Sequence, residues 1–399
     1  MSNKKIILAF SGGLDTSFCV PYLKEKGYEV ITLTLDIGGF SKSGLKEKAK
    51  DSKKFGAVKH ICLDIKNELF EKIYSYVIKA NALYEGSYPH LCADRYMIAE
   101  KLVETAKKEK TKFVAHGCTA TGNDQVRIDV SLACLAPDFK IIAPIREIGG
   151  DREKEQKYLK NLGFKIDKAH QKYSISESIA GITSSGSEIA KLKEPAEQAF
   201  SLTKLEKIKP SYVELEFSQG KPIKLDGKEM KGFEILQILN KKAGSYGIGR
   251  EIYTGDCVIG IKGHIVLEAP ALTVLLKAHL ALEQVTLTKY QIKIGRFLSE
   301  YFSELLYTGL FYEQAMNDLK AFIDSQQRNA SGKVKVKLMP GLALPVEVQT
   351  KKSLIDKSIA DYAHACVWTA KDAESFIKLY GLQSKIAYLK KESKENVKD

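Results

Sequence analysis

Hydrophobic and polar positions fall into two rhythms along the chain. Over the first 165 residues, short continuous apolar runs alternate with longer stretches of helical periodicity. The runs are Ile6–Phe10, Val30–Ile37, Val58–Leu63, Phe113–His116 and Ile141–Ala143, and the helical stretches lie near 42–54, 67–80, 94–109 and 151–162. Strands apolar on both faces, separated by helices, predict a doubly wound α/β domain with a parallel sheet covered on both sides. The rhythm changes after Gly163. Tyr212–Phe217 alternates strictly, as an antiparallel strand does. Gly255–Glu268 reads as two strands turning at Lys262-Gly263. Helical patterns follow at Leu272–Leu287, Leu298–Leu306 and Glu313–Ser325, then strands Lys333–Met339 and Leu342–Gln349 around Pro340-Gly341. This part predicts an α+β domain. The end predicts one helix, Lys371–Lys394, with Phe376, Ile377, Tyr380 and Ile386 on an apolar face that needs a partner, such as another subunit. The expected division is 1–165, 166–365 and 366–399.

Composition narrows this only a little. With 44% apolar and 28% charged residues over 399 positions, the chain can build a core without staples. No run of about 18 apolar residues exists, so no transmembrane helix is expected. The apolar stretch after MSNKK is too short for a signal-peptide core, which points to the cytoplasm. Seven cysteines (19, 62, 92, 118, 134, 257, 366) form no CxxC pair and accompany no His at zinc spacing, which argues against disulfides and structural zinc. The net charge of +13 would suit a nucleic-acid partner, but only seven of the 62 basic residues are arginine, the main base reader. A lysine-rich solvated surface, with no nucleic acid and no membrane, is the simpler reading. Such a field also favours anionic small molecules.

The sharpest motif is AFSGGLDTS, Ala9 to Ser17, placed where the first strand ends and a helix begins. Ligands of open α/β sheets bind at the carboxyl ends of strands. Gly12 and Gly13 allow a tight turn, Ser11, Thr16 and Ser17 add hydroxyls, and the helix N-terminus adds its dipole. This makes a phosphate cradle, and it is not the Walker pattern. Pro21 falls inside the helix and removes a bond to the Ser17 carbonyl, which predicts a local bend.

A second polar loop, HGCTATGNDQVRID, follows the strand at Phe113–Ala115. It carries Thr119, Thr121, Asn123, Asp124, Gln125 and Arg127 within nine residues. Both charge signs are present, which suits a zwitterion: Arg forks onto a carboxylate and Asp holds an ammonium. A capped helix start would use the same residues.

These residues resemble a known family. SGGLDTS is similar to the ATP loop of the N-type ATP pyrophosphatases, with their adenine nucleotide alpha hydrolase-like fold. GxTxxGNDQxR resembles the narrower argininosuccinate synthase signature. The likeness continues through YEGSY (84–88), YSISESIAGITSSG (173–186), YGIGRE (246–251), GIKG (260–263), LEAP (267–270) and KDAESFIK (371–378), nearly the whole chain. It implies an ATP-dependent carbon–nitrogen ligase of arginine biosynthesis, with citrulline and aspartate as small-molecule substrates, a citrullyl-adenylate intermediate, magnesium (Mg2+) with ATP, and a homotetramer. By motif, Ala9, Phe10, Ser11, Gly12, Gly13, Leu14, Asp15, Thr16 and Ser17 would hold ATP, with Leu35 and Gly117 beside the nucleoside. Thr119, Asn123 and Asp124 would bind aspartate, and Asp124 could also take a proton from its amine. Tyr88, Asn123, Arg127, Ser174, Thr183 and Glu268 would bind citrulline.

Some positions depart from the family pattern. Cys92 takes a serine slot only with one residue deleted, Thr183 replaces serine, Leu276 stands where many members have a citrulline-contacting tyrosine, and Gly-His-Ile follows Lys262 in place of Ser-Arg-Gly. These changes fall on the citrulline side. The alternative is another adenylating enzyme with the same loop, of the tRNA thiolase type. It typically needs paired cysteines, and this chain has no CxxC.

Overall fold

The structure is a computed structural model that describes residues 4–164, 173–360 and 367–395. The expected divisions at 165/166 and 365/366, and Cys366, lie outside the described residues. Met1–Lys352 forms one compact unit and Ser353–Asp399 a second.

The first unit is organised by a parallel sheet of β1 (Lys4–Ala9), β2 (Tyr28–Asp36), β3 (Lys59–Asp64), β4 (Phe113–Ala115) and β5 (Lys140–Ile142), in the order β3-β2-β1-β4-β5. Alternation along β1 shows why its apolar run is continuous. Ile6 and Leu8 point into a core with Phe18, Val20 and Leu23 of the helix Leu14–Glu25 and with Leu159 of the helix Arg152–Asn161. Ile7 points the other way, into the main core with Leu33, Phe70, Met97, Leu236, Leu275 and Phe302. Both faces are dry, so no polar position is tolerated there. The helix Leu14–Glu25 runs on through Pro21.

The rest of this unit is antiparallel. Its strands are β6 (Ser174–Ser178), β7 (Gly181–Ser185), β8 (Ser211–Ser218), β9 (Lys221–Leu225), β10 (Lys228–Glu229), β11 (Arg250–Asp256), β12 (Lys262–Glu268), β13 (Gly332–Met339) and β14 (Leu342–Gln349). They form two sheets, β10-β9-β8-β13-β14 and β11-β12-β7-β6. The turn between β11 and β12 lies at Cys257–Ile261, closed by Cys257 N–H on the Ile261 carbonyl at 2.7 Å. Lys262-Gly263, expected as the turn, is inside the strand. Helices Gly232–Gly244, Pro270–Thr286, Lys289–Thr308 and Gln314–Gln326 accompany these sheets.

The second unit carries two helices, Ala370–Tyr380 and Leu382–Glu395, where the sequence predicts one. Thr369 and Asp372 form a capping box at the start of the first.

Candidate active site

The phosphate-type loop sits at the carboxyl end of β1. Phe10 continues the strand by donating to Leu33 at 2.8 Å, and Thr34 Oγ1 donates to the Phe10 carbonyl at 2.6 Å. The chain then turns at Gly12, whose φ of 77° is the left-handed region that favours glycine. Ser11 Oγ accepts from Gly13 N at 3.3 Å and lies 3.1 Å from Thr16 Oγ1. Thr16 Oγ1 donates to the Gly13 carbonyl at 3.3 Å. Leu14, Asp15 and Thr16 open the following helix, where backbone N–H groups have no helical acceptor, and Ser17 N donates to the Gly13 carbonyl at 3.0 Å. Phe10 and Leu35 are buried.

β4 pairs directly with β1, so the second loop emerges beside the first. Gly117 is at the contact: a Cβ there would lie 3.1 Å from Thr16 Cγ2, so any larger residue would press on Thr16 and push the two loops slightly apart. The helix Asn123–Leu135 starts after this loop. Asp124 Oδ2 meets Arg95 Nε at 3.0 Å, and its Oδ1 meets Arg127 Nη1 at 3.2 Å. Arg95 also pairs with Asp94 at 2.6 Å and donates to Ser176 Oγ on β6 at 3.1 Å. Two carboxylates and two guanidinium groups thus alternate in one cluster. Burial works to raise the Asp124 carboxyl, but the Arg95 and Arg127 charges and hydrogen bonds outweigh it and hold it below the usual carboxylate range. Asp124 is therefore ionised and a weak base. Its side chain is 37% exposed, open to a ligand, whereas Arg127 is 4% exposed and spends its Nε on the Tyr307 carbonyl at 3.0 Å.

An aromatic wall backs this cluster. Tyr84 stacks on Tyr307 with centroids 3.7 Å apart, and Tyr88 packs against Tyr253 and Tyr307. Asn123 ties the wall to the antiparallel half, donating to Tyr307 Oη at 3.1 Å and accepting from Val258 N at 2.8 Å. Tyr88 Oη accepts from Cys92 N at 3.2 Å. Burial and the Arg127 charge push His90, beside them, down to about 3, so it adds no charge. Arg95, Asp94, Ser176 and Tyr307 are missing from the sequence-based set. An arginine three residues after Cys92 was the one available signal.

Other expected residues are placed differently. Thr119 is half-buried beside Gly150. Thr183 faces Ser176 across the β6–β7 ladder, with a buried Oγ1 that makes no hydrogen bond. Ser174 is exposed at the start of β6, and Leu276 is half-buried on the helix Pro270–Thr286, with no polar atom to offer a substrate. Glu268 requires a correction. It is 0% exposed, and its carboxylate accepts from Ser201 N, Leu202 N, Thr203 N and Thr203 Oγ1 at 2.5–2.8 Å. Those bonds consume it as the anchor of the 201–203 loop, so it does not belong to the site.

Two acids and a lysine frame the phosphate-type loop. Glu155, 1% exposed, lies against Asp15. Burial first, then the Asp15 charge and a hydrogen bond with it, push the Glu155 carboxyl up to about 8. Lys48, from the helix Lys42–Lys54, reaches over Gly12 and donates to the Ser11 carbonyl.

The family profile of the arginosuccinate synthase N-terminal HUP domain matches residues 5–165, and that of the arginosuccinate synthase C-terminal domain matches residues 173–387. The argininosuccinate synthase of Xylella fastidiosa is 41% identical over 391 residues, 96% of this chain and 97% of that protein. That of Dictyoglomus turgidum is 41% identical over 396 residues, 98% and 99% of the two chains. That of Pyrococcus furiosus is 41% identical over 390 residues, 96% and 94%. With both halves matched and the likeness running end to end, the chain belongs to the argininosuccinate synthase family.

Proposed function

We propose that the protein joins citrulline to aspartate at the expense of ATP, by way of a citrullyl-adenylate. One observation carries this reading: the phosphate-type loop and the alternating-charge cluster stand side by side at the carboxyl edge of β1 and β4, with Gly117 against Thr16. A nucleotide and a zwitterion can therefore meet across one loop contact. The tRNA thiolase alternative leaves the charge cluster without a task.

Residues 1–165 would supply the nucleotide site: Ala9–Ser17 on the phosphates, with Leu35 and Gly117 at the nucleoside. Asp124 would receive the aspartate ammonium, with Thr119 and Asn123 beside it. Arg127, Tyr88 and Asn123 would face citrulline, and Cys92, Ser174 and Thr183 border that side. Residues 166–365 contribute through Ser176 and Tyr307. In the first step the ureido oxygen attacks the α-phosphorus and pyrophosphate leaves. In the second the aspartate amine attacks the ureido carbon and AMP leaves. Positioning and charge stabilisation are the protein's tasks in both. Asp124, held ionised, serves as the counter-charge of the ammonium and not as its base. Magnesium (Mg2+) would arrive on ATP's own phosphate oxygens, where it offsets charge on the leaving pyrophosphate. The N–H and hydroxyl groups of the loop are donors suited to phosphate, and we assign none of them to the metal.

A homotetramer fits the second unit, whose helices expose Phe376, Ile377 and Tyr380. A cytoplasmic setting fits the cysteines, free at all six described positions. Among the described residues no helix is long and apolar enough to cross a membrane.

The test is isotopic. Citrulline carrying oxygen-18 at the ureido position should pass its label to AMP, and pyrophosphate release should require citrulline. Label retained in argininosuccinate or lost to water would overturn the adenylation reading.

A further inference from the structure

Lys48 is one of six lysines on the helix Lys42–Lys54, and the sequence gives it no distinction from the others. Its surroundings do. Its ammonium donates to the Ser11 carbonyl and lies 4.3 Å from the centre of the Phe40 ring. Its Cγ and Nζ would each lie 3.1 Å from a Cβ added at Gly12, so the glycine makes the turn and also leaves room for the lysine. Burial lowers its pKa, and the charges of Asp51 and Glu47 only partly restore it. Among the described residues Lys48 makes no ion pair. A half-buried ammonium therefore sits over a glycine turn with one carbonyl as its partner and donors to spare. Lys46 and Lys50, on the same helix, are exposed.

We propose that Lys48 is a further phosphate-binding residue, gripping the pyrophosphate end of ATP over Gly12 and holding pyrophosphate as it leaves. The proposal rests on reading Ser11–Ser17 as the phosphate loop. A carbonyl and an aromatic face stabilise an ammonium less than an anionic oxygen does, so phosphate would draw Lys48 from Ser11. When the ureido oxygen bonds to the α-phosphorus, the bond to the bridging oxygen breaks and its electron pair leaves on pyrophosphate. Lys48 gives up no proton in this step. It places a positive charge where negative charge accumulates, and should favour the β- and γ-phosphates over the nucleoside.

The experiment measures calorimetric affinity of the full chain for magnesium pyrophosphate and, separately, for AMP. Lys48→Ala and Lys48→Met should weaken pyrophosphate binding roughly 10- to 100-fold, the loss of one charge-assisted hydrogen bond, while AMP binding moves by less than about twofold. Lys48→Met keeps the stem under Phe40, so its agreement with Lys48→Ala excludes a packing effect. Lys48→Arg should restore most of the affinity, and Lys50→Ala should leave it unchanged. If Ser17→Ala weakens pyrophosphate binding while the Lys48 variants do not, the role of Lys48 is refuted and the loop reading stands. If Ser17→Ala has no effect either, the loop reading falls with it. An equal loss from Lys50→Ala would reduce Lys48 to part of a general basic field and overturn the proposal.

Discussion

Glu155→Gln should stabilise the protein at alkaline pH and flatten its pH dependence. In the folded chain this carboxyl is pushed from an ordinary 4.5 to about 8, by burial first and by Asp15 second. Between those two values the folded state binds a proton that the unfolded state has released, so stability falls as pH rises through the window. At about 1.4 kcal/mol per pH unit, keeping Glu155 protonated costs the fold roughly 3 kcal/mol by pH 7, and ionising it costs roughly 5 kcal/mol above pH 8. Glutamine keeps the shape and can donate to Asp15 as the protonated acid does, with no charge to ionise. Melting temperatures of parent and variant should nearly coincide at pH 5 and separate progressively to pH 9, the variant being higher. The difference between the two curves cancels every other titrating group. Asp15 stands on the phosphate-type loop, so ATP affinity in the parent should also decline through pH 8 as a second negative charge appears beside it, and the variant should lack that decline. Two melting profiles that run parallel from pH 5 to 9 would show that Glu155 titrates normally and that the reasoning is wrong.

Asp124→Asn should mainly impair the second chemical step, because the aspartate ammonium loses a charge-assisted contact worth roughly 1.5–3 kcal/mol. Citrulline-dependent pyrophosphate exchange should survive; its loss to the same degree as argininosuccinate formation would remove Asp124 from the aspartate site. Deleting residues 371–399 should reduce the oligomer, because Phe376, Ile377 and Tyr380 are 62%, 68% and 77% exposed along the first terminal helix. An unchanged mass by light scattering would refute that role for the tail.

The parallel sheet was legible because its residues obey a local rule. A strand buried on both faces is mostly apolar, as β1 and β2 are through their centres apart from the buried Thr32 and Thr34, and β1, β2 and the half-exposed β3 are found within two residues of the runs that predict them. Where the rule relaxes, the reading weakens. β6 and β7, SISES and GITSS, are polar hydroxyl-rich strands without an apolar run, and the sequence offers no period to find them by. The helix Lys289–Thr308 shows only its second half as a pattern, since exposed Tyr290, Ile294 and Phe297 blur the amphipathic face of the first. Lys262-Gly263 resembles a turn by composition, yet Gly260 and the Cys257–Ile261 bond make the turn earlier.

The candidate site divides along the same line. Residues that share one loop, such as Ser11–Ser17 and Asn123–Arg127, announce themselves by density. Partners brought in by other elements do not: Arg95 arrives on a separate helix, Tyr307 from the antiparallel half, and Lys48 from a helix of look-alike lysines. The acids show why the distinction is physical. Glu268 lies in a family-like motif, but its four hydrogen bonds make it a scaffold anchor. Asp124, between two guanidinium groups, is held charged to meet a cation. Glu155, buried against Asp15, is held protonated up to about 8 and so spares the phosphate-type loop a second negative charge. Asp124 and Glu155 carry the same functional group with opposite shifts, and the difference comes from their surroundings: two guanidinium groups around the first, burial and the Asp15 charge around the second.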